Sequence, residues 1–272
     1  MRIELHCHST CSDGTEPPER VRQRALDRGV EIFALTDHDT CAGHAASDGV
    51  RCIRAVEITC YVDNRSLHVL AYDRGGGAWE AIESKLAGVL EARRNRLRVM
   101  AARLVQRGIH LDIEPLLAAA ASRSVGRPDL ARMMVAAGHC ATPKDAFSRH
   151  LYDNGPVDIP VRTLSLADAL AAGREANAAM ALAHPHLYDR LSARLLRDHK
   201  ADGLTGVEAF YGVYDQAQRR RWIELADQLG LVCTGGSDWH GPEKVGTMND
   251  VGLEVGIELP AKRTDALLAW LS

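Results

Sequence analysis

The chain of 272 residues is long enough for one large domain, and an apolar content of 46% is ample for a hydrophobic core. A net charge of −3 excludes the basic excess that is typical of general nucleic-acid or membrane-surface binding. Seven cysteines without a Cys-X-X-Cys pair, together with the lack of a signal-peptide pattern or a long apolar run, predict a reduced cytoplasmic protein.

The first elements are a short alternating strand at residues 2–5 and a helix that starts at Pro17 and ends at Gly29. Apolar runs predict six more strands, at residues 30–35, 52–56, 67–72, 179–183, 206–210 and 231–234. Helical patterns separate most of them, at residues 165–178, 191–198 and 215–229. This alternation favours a parallel α/β sheet, and polar strand ends favour closure into a distorted seven-stranded (β/α)7 barrel.

Residues 75–161 interrupt the alternation with consecutive helical patterns, at 78–106, 113–121, 129–137 and 143–150. We interpret this region as a helical insertion, a lid over the barrel mouth, so that residues 1–74 and 162–272 form the barrel. Its first helix carries a run of arginines that is spread around the helix: Arg93, Arg94, Arg96, Arg98, Arg103 and Arg107. The spread favours a solvent-exposed face over contact with a phosphate backbone.

Side chains of metal-ligand type lie at the polar ends of six predicted strands or in the loops beyond them. His6 and His8 project from the same side of the first strand, and Cys7 points to the other side. Singly, each such group also fits a structural role in a core or a turn. Their convergence on one rim favours metal ligation for all nine, which are His6, His8, Asp13, His38, Glu57, His68, His184, Asp238 and His240.

Six histidines and three carboxylates suit two or three divalent ions of the Mn²⁺, Fe²⁺ or Zn²⁺ type. The positive charge of three such ions would exceed the negative charge of Asp13, Glu57 and Asp238, so the site favours an anionic substrate. A phosphate ester fits, because clustered metals both generate hydroxide at neutral pH and stabilise the charge that develops on phosphoryl oxygens. No serine or cysteine nucleophile is required.

In order along the chain, six segments resemble the successive motifs of the PHP (polymerase and histidinol phosphatase) family of metal-dependent phosphoesterases: His6-Cys7-His8, Thr36-Asp37-His38-Asp39, Val56-Glu57, His68-Val69-Leu70, Ala183-His184-Pro185 and Ser237-Asp238-Trp239-His240. The resemblance implies a distorted seven-stranded barrel with a trinuclear metal site. By motif position, the first ion would be held by His6, His8, Glu57 and Asp238. Glu57 would bridge to a second ion, held also by His68 and His184, and the third would be held by Asp13, His38 and His240.

Within the family, the length and the insertion look most like the stand-alone bacterial branch that includes 3′,5′-nucleoside bisphosphate phosphatases. Residues 124–132 stand where that branch has Ser-Arg-Thr-His-Phe-Ala-Arg, and the match of Arg127 and Arg132 implies that they bind a substrate phosphate. The chain departs from the pattern at Asp129, where the branch has histidine, at residues 154–157, and at His186, where glycine is usual. We interpret His186 as a substrate contact and as a candidate general acid.

We therefore predict a metal-dependent phosphoesterase that hydrolyses a phosphate monoester of a small anionic substrate, most plainly a nucleotide such as a nucleoside 3′,5′-bisphosphate. A metal-bridging hydroxide, held by Glu57, His184 and Asp238, would attack phosphorus in line. The alternatives are a hydrolase of cyclic phosphates or phosphodiesters, a 5′–3′ exonuclease that trims short RNA, and a histidinol-phosphate phosphatase. A non-catalytic sensor of nucleotide or metal is the alternative of a different class. Neither a membrane nor an obligate protein partner is expected.

Overall fold

The computed structural model of the protein describes residues 1–45, 49–160, 163–242 and 254–272. The strands in this part are β1 (Arg2–Glu4), β2 (Ile32–Phe33), β3 (Arg51–Cys52), β4 (Ala55–Val62), β5 (Arg65–Asp73), β6 (Ala178–Leu182), β7 (Leu204–Tyr211), β8 (Val232–Gly236) and β9 (Ile257–Glu258). They form two sheets, one of four strands in the order β3-β2-β1-β9 and one of five in the order β4-β5-β6-β7-β8.

The helices in the same part of the chain are α1 (Pro18–Asp27), α2 (Glu80–Val105), α3 (Glu114–Ala119), α4 (Arg127–Ala136), α5 (Pro143–Ala146), α6 (Leu166–Glu175), α7 (Arg190–Asp198), α8 (Gln216–Leu229) and α9 (Ala261–Trp270). Local signals set their ends. In α8, Asp215 and Gln218 exchange side-chain to backbone hydrogen bonds at the N-terminus, and Gly230 ends the helix at a left-handed φ of 61°. No helix within the described residues combines the length and apolarity needed to cross a bilayer.

The predicted α/β class is confirmed, but the expectation of one parallel sheet is wrong at two strand pairs. β4 with β5 and β5 with β6 are antiparallel. A further strand that was not predicted, β9, also pairs antiparallel with β1. The cause at β4 and β5 is a two-residue turn, in which Asp63 and Asn64 both have positive φ (48° and 62°), a geometry that joins antiparallel strands tightly. The predicted strand at 52–56 also divides, because β3 and β4 belong to different sheets.

Backbone hydrogen bonds join the two sheets through the segments that follow β1, β2 and β8. On one side, the N–H of Asp238 donates to the carbonyl oxygen of His6 at 2.7 Å. On the other side, the N–H of Asp39 donates to the carbonyl oxygen of Glu57 at 2.9 Å. The segments that follow β1, β2 and β8 are therefore held beside one another and beside β4, at one end of both sheets.

Helices α2 to α5 lie between β5 and α6, and their packing gives this part of the chain a core of its own. Leu97 of α2 is fully buried in one cluster with Leu130 and Met134 of α4. The first half of α2 joins the main core instead, through residues such as Ile82. The predicted domain boundary at 161 and 162 lies outside the described residues, and a lid function stays a prediction.

Arg93 corrects the expectation that the arginines of α2 form a solvent-exposed face. It is buried, and its Nε donates to Asp39 Oδ2 at 2.6 Å while its Nη2 donates to Thr59 Oγ1 at 2.7 Å. Arg98, one and a half turns further along, does lie exposed and pairs with Glu114 at 3.0 Å. Arg93 of α2 thus contacts Asp39 and Thr59 in the main part of the fold, because α2 packs against both cores.

Candidate metal centre

The structure brings all nine predicted ligands together at the end of the sheets where the joining segments meet. They form four overlapping groups, and within each group the potential ligand atoms lie within 4.8 Å of one another. The groups are His8, Asp13, His38 and His240; His6, His8 and Asp238; His6, Glu57 and His184; and His38, Glu57 and His68. Shared members make the four groups one continuous cluster.

The strands explain how residues so far apart in sequence reach one place. His6 and His8 follow β1 on the same side of the backbone, while Cys7 between them is buried in a cluster with Val21 and Trp239. His68 lies near the start of its strand rather than at its end. Because β5 runs antiparallel to β4 and β6, its first residues lie at the same rim as the last residues of the parallel strands.

Two candidate ligands have a left-handed backbone, which costs a residue other than glycine about 1–3 kcal/mol. His184 has a φ of 27° and Asp238 has a φ of 52°. Both turns follow a buried strand directly, and both are held by hydrogen bonds from the strained residue: His184 N–H donates to Glu208 Oε2 at 2.7 Å, and Asp238 N–H donates to the carbonyl oxygen of His6. The surrounding structure thus fixes the left-handed backbone at both candidate ligands.

Three of the six candidate imidazoles are oriented by contacts of Nδ1, the ring nitrogen other than the one that faces the cluster. Nδ1 lies 2.9 Å from Glu208 Oε1 in His6, 3.2 Å from the Tyr188 hydroxyl in His184, and 2.8 Å from the carbonyl oxygen of Asp238 in His240. In each case Nε2 faces into the cluster. Such outer partners fix the ring and leave the inner nitrogen available as a ligand.

Glu57 stands at the middle of the cluster, and both of its oxygens face imidazoles. Oε1 lies 2.9 Å from His184 Nε2 and 3.0 Å from His68 Nδ1, and Oε2 lies 2.9 Å from His38 Nδ1 and 3.3 Å from His8 Nε2. Burial alone would raise the pKa of Glu57, but attraction to His38 and the other imidazoles holds that pKa well below its usual range. The carboxylate is therefore ionised and placed to contact more than one cation.

The electrostatics of the surrounding groups are those of a cation site. Burial lowers the pKa of His8 to about 3, and repulsion from His240 contributes. Burial would also lower the pKa of His38, but attraction to Glu57 and Asp13 raises it to about 9. The pKa of Asp13 lies well below its usual value because nearby imidazoles outweigh the effect of burial. Ionised carboxylates thus persist in a buried place, where charge must be compensated.

The donor atoms fit divalent metal ions. His6 Nε2, His8 Nε2, His38 Nδ1 and Glu57 Oε2 are buried and make no hydrogen bond. Buried polar atoms are normally satisfied, so four unsatisfied ones within this one cluster point to partners that accept lone pairs. Imidazole nitrogens with carboxylate oxygens are the ligands of Mn²⁺, Fe²⁺ and Zn²⁺ in proteins. These residues can therefore hold such ions.

Three buried carboxylates behind the cluster are missing from the predicted site. Glu208 contacts His6 and His184 as described above. Glu4 accepts hydrogen bonds from backbone N–H groups, including that of Ser237 at 2.9 Å, and burial raises its pKa to about 7. Asp37 accepts hydrogen bonds from Ser9 and Ser12 and so orders the loop that carries Asp13. A charged residue inside the apolar strands is the sequence signal that identifies Glu4 and Glu208.

The structure separates the two predicted phosphate-binding arginines. Arg132 lies at the cluster, with Nη1 donating to the carbonyl oxygen of Asp13 at 3.4 Å. Arg127 instead donates to the carbonyl oxygen of Leu151 at 3.1 Å and to Asp153 Oδ1 at 2.6 Å, and none of its hydrogen bonds in the described part of the chain reaches a candidate ligand.

His186 is hydrogen-bonded to the hydroxyl of Tyr214, 2.9 Å from Nδ1. Tyr214 packs edge-on against it, and Tyr211 lies 5.3 Å away between ring centroids. The Tyr211 hydroxyl in turn donates to Asp238 Oδ2 at 2.6 Å, which connects this aromatic group to the cluster. Substrate contact by Arg127, Arg132 or His186 stays a prediction.

A further arginine ties the helical region to the loop of Asp13. Arg123 Nε donates to the carbonyl oxygen of Thr10 at 2.9 Å, and the N–H of Ser124 donates to the carbonyl oxygen of Cys11 at 2.9 Å. Asp129 pairs with both Arg123 and Arg132. Asp129, one of the departures from the branch pattern, therefore has a structural role at the place where α4 meets the loop of Asp13.

Comparison with known proteins gives consistent matches over almost the whole chain. The model of the PHP domain family matches residues 4–115. A phosphoribosyl 1,2-cyclic phosphate 1,2-diphosphodiesterase of Eggerthella lenta is 34% identical over 265 residues, covering 94% of this chain and 99% of the relative. A 3′,5′-nucleoside bisphosphate phosphatase of Chromobacterium violaceum is 30% identical over 260 residues, covering 92% and 90%.

Among solved structures, a protein of Bifidobacterium adolescentis assigned as a metal-dependent phosphoesterase superposes with a TM-score of 0.83 at 30% identity, covering 98% of this chain and 96% of that one. Sequence, fold and ligand cluster therefore agree. The chain belongs to the PHP family of metal-dependent phosphoesterases, which are hydrolases of phosphoester bonds.

Proposed function

We propose that this protein hydrolyses the phosphate ester of a small anionic substrate, a nucleotide such as a nucleoside 3′,5′-bisphosphate, in a metal-dependent reaction. The observation that carries the proposal is the convergence of nine ligand side chains around the buried carboxylate of Glu57. Divalent ions bound there would supply a nucleophilic water at neutral pH and offset the charge on the phosphoryl oxygens. Family membership and the named relatives support the same class of reaction.

Contacts within the cluster support a division of the ligands among three ions. Asp13, His38 and His240 would hold one ion, with His8 close by. His6, His8 and Asp238 would hold another together with Glu57. Glu57 Oε1 touches both His68 and His184, so these three would hold the remaining one. The Tyr211 hydroxyl binds Asp238 Oδ2 and thereby leaves Oδ1, 3.2 Å from His8 Nε2, facing the cluster.

We infer that Arg132 is the main arginine for the substrate phosphate. It lies beside Asp13 and is about a third exposed, so a phosphate at the cluster can reach it. Arg127 would first have to leave Asp153, which is exposed, and Asp158, which lies 3.7 Å away and has a side chain only 12% exposed.

We infer that His186 donates a hydrogen bond to the substrate rather than a proton. The Tyr214 oxygen accepts the backbone N–H of His186 at 3.2 Å, so its own proton is free to point to Nδ1 of the same residue. The neutral ring then carries its proton on Nε2. Burial lowers the pKa of His186 to about 4, which favours that neutral form at pH 7.

We also infer that seven of the strands, β1, β2 and β4 to β8, form one distorted barrel. The hydrogen bonds from Asp238 to His6 and from Asp39 to Glu57 support this, because they connect both edges of the five-stranded sheet to the segments after β1 and β2. The two short strands β3 and β9, at the two edges of the four-stranded sheet, would then lie outside the barrel. Such closure explains why ligands from opposite strands can share a site.

Hydrolysis of a cyclic phosphate diester is a second candidate, and two observations favour it. The Eggerthella relative that is named as a cyclic phosphate diphosphodiesterase matches 94% of this chain. In addition, Asp129 pairs with Arg123 and Arg132, and Asp153 pairs with Arg127. That charge pairing leaves less cationic surface for the second phosphate of a bisphosphate.

The test is a substrate panel on purified protein that has been stripped with a chelator and reloaded with Mn²⁺, Fe²⁺ or Zn²⁺. We would incubate it with nucleoside 3′,5′-bisphosphates, nucleoside monophosphates, cyclic phosphates, 5′-phosphorylated short RNA and histidinol phosphate. Phosphorus NMR separates free phosphate from a ring-opened monoester. Release of phosphate from the bisphosphate supports the first candidate, and opening of the cyclic phosphate, with or without release of free phosphate, supports the second.

The matched control is Asp238→Asn, which keeps the shape of the side chain and removes a ligand charge. Activity that survives this substitution at the wild-type level would show that the hydrolysis comes from a contaminant. Protein that holds less than one transition metal per chain and is inert towards the whole panel would overturn the proposal in favour of a sensor.

A further inference from the structure

Glu208 is a buried carboxylate in the middle of an otherwise largely apolar strand, β7. Its exposed fraction is 0%, and both of its oxygens are engaged. Oε1 lies 2.9 Å from His6 Nδ1, and Oε2 accepts the backbone N–H of His184 at 2.7 Å. A buried charge is costly unless it is paired, so this position needs a partner of complementary chemistry on each oxygen.

The contact to His6 determines which ring nitrogen carries the proton. A carboxylate only accepts hydrogen bonds, so the 2.9 Å contact requires a proton on Nδ1. Nε2 is then the nitrogen left to give its lone pair to a cation, and it faces Glu57 at 3.4 Å and Asp238 at 3.5 Å without a hydrogen bond of its own. This is the tautomer that a metal ligand needs.

The contact to His184 acts on the backbone. With a φ of 27°, His184 occupies a conformation that residues with a side chain rarely adopt, so other contacts must hold it there. The charge-assisted bond from its N–H to Glu208 Oε2 is such a contact. Held this way, the ring places Nε2 2.9 Å from Glu57 Oε1.

We propose that Glu208 is a positioning residue of the metal centre, which sets the tautomer of His6 and the backbone of His184 at the same time. The inference rests on the proposed metal site, since both of these histidines are candidate ligands. One carboxylate thereby couples ligands from two strand ends, β1 and β6, through the strand that lies beside β6. Glu208 does not contact the substrate in this role.

The test is Glu208→Gln, which removes the charge at nearly constant volume. The amide has one accepting oxygen, so it can satisfy either His184 N–H or His6 Nδ1–H, and its NH₂ group opposes the other. If the NH₂ faces His6, the ring proton moves to Nε2 and blocks the ligand position. We expect the affinity for Mn²⁺, measured by competition with a chelator, to fall about 10–100-fold.

A second readout is the nitrogen NMR spectrum of histidine-labelled protein loaded with diamagnetic Zn²⁺, which reports which nitrogen of each ring carries a proton. Wild type should show His6 protonated at Nδ1, and Glu208→Gln should change that signal. Glu4→Gln is the matched control: Glu4 is equally buried beside the cluster and accepts the backbone N–H groups of His6, Ser237 and Gly256, whereas Glu208 contacts the ring of His6. It should leave the tautomer of His6 unchanged.

If Glu208→Gln does not fold, Glu208→Asp replaces it, because the shorter side chain keeps the charge but cannot reach both partners. Mn²⁺ affinity within about twofold of wild type in a folded variant, with an unchanged His6 signal, would overturn the proposal. A different result would contradict the proposed function: wild-type protein that neither binds metal nor cleaves any ester. The two outcomes can therefore be told apart.

Discussion

Replacing Arg93 with methionine tests how the helical region is fixed to the site. Arg93 Nε donates to Asp39 Oδ2, and Asp39 is fully buried. Once the guanidinium is gone, the one hydrogen bond that the Asp39 carboxylate keeps among the described residues is that from the backbone N–H of Thr59, at 2.6 Å. Removing one partner of a buried ion pair costs about 3–5 kcal/mol, because the other charge is left uncompensated.

At roughly 2 °C per kcal/mol for a chain of this size, Arg93→Met should lower Tm by about 6–10 °C. Urea unfolding with excess chelator would measure the free energy of unfolding without a contribution from bound metal. The matched control is Arg98→Met on the same helix, since the pair of Arg98 with Glu114 is exposed and should contribute less than about 1 kcal/mol.

A loss for Arg93→Met that is no larger than the loss for Arg98→Met would refute this reasoning. The double variant Arg93→Met with Asp39→Asn refines the test, because it removes the stranded charge. Asparagine also tolerates the left-handed φ of 55° at position 39. We expect the double variant to be more stable than Arg93→Met alone, and equal stability would show that the carboxylate is not the source of the cost.

Three other predictions concern the metal site and the acid stability. His184→Ala should reduce ester hydrolysis at least about 100-fold while circular dichroism stays that of the wild type, and retention of more than a few per cent of the activity would contradict the ligand assignment. Chelation should lower Tm, and Mn²⁺ at about 100 times its Kd should restore roughly 2.7 kcal/mol of stability; an unchanged Tm would speak against a bound ion. Burial alone would raise the pKa of Asp158, but hydrogen bonds from the N–H of Asn154 and from Arg96 have a larger effect and lower the pKa below its ordinary value. Ionised Asp158 therefore stabilises the folded state above the ordinary aspartate pKa, and this contribution is lost as the pH falls through the lowered pKa. The free energy of unfolding of Asp158→Asn should accordingly depend less on pH in acid. The same acid midpoint for wild type and variant, after correction for their stabilities at neutral pH, would refute this.

The ligand cluster could be predicted from the sequence because its physical cause is local. Histidines and carboxylates that directly follow apolar runs, such as His38 and His184, stand out, and strand ends meet at one rim. The direction of β5 was also encoded locally, in Asp63 and Asn64, although the prediction of a parallel sheet overlooked that signal. His68 reaches the rim only because its strand is reversed.

Other features depend on which residues meet across the fold. In the sequence, Glu208 is a single charged residue in an apolar strand, and its contact with His6, 202 positions away, becomes evident only in the folded structure. Arg127 and Arg132 appear equivalent in the sequence, but residues five apart on one helix point about 140° away from each other, so they face different surroundings. Arg93 differs from its neighbours only because Asp39 lies beneath it.

The long connections between the ligands have a consequence for the order of folding. Ser237 N–H donates to Glu4 Oε1 across 233 positions, and β1 obtains one of its two strand partners from β9. During synthesis, His6 and His8 therefore cannot reach their native contacts until nearly all later strands have been made. Contacts of such separation slow folding, because chain entropy must be lost before they form. The helical region, with its own core, can become compact earlier and shorten the span that β5 and β6 must close. Ion uptake should accordingly be among the last events in the maturation of this enzyme.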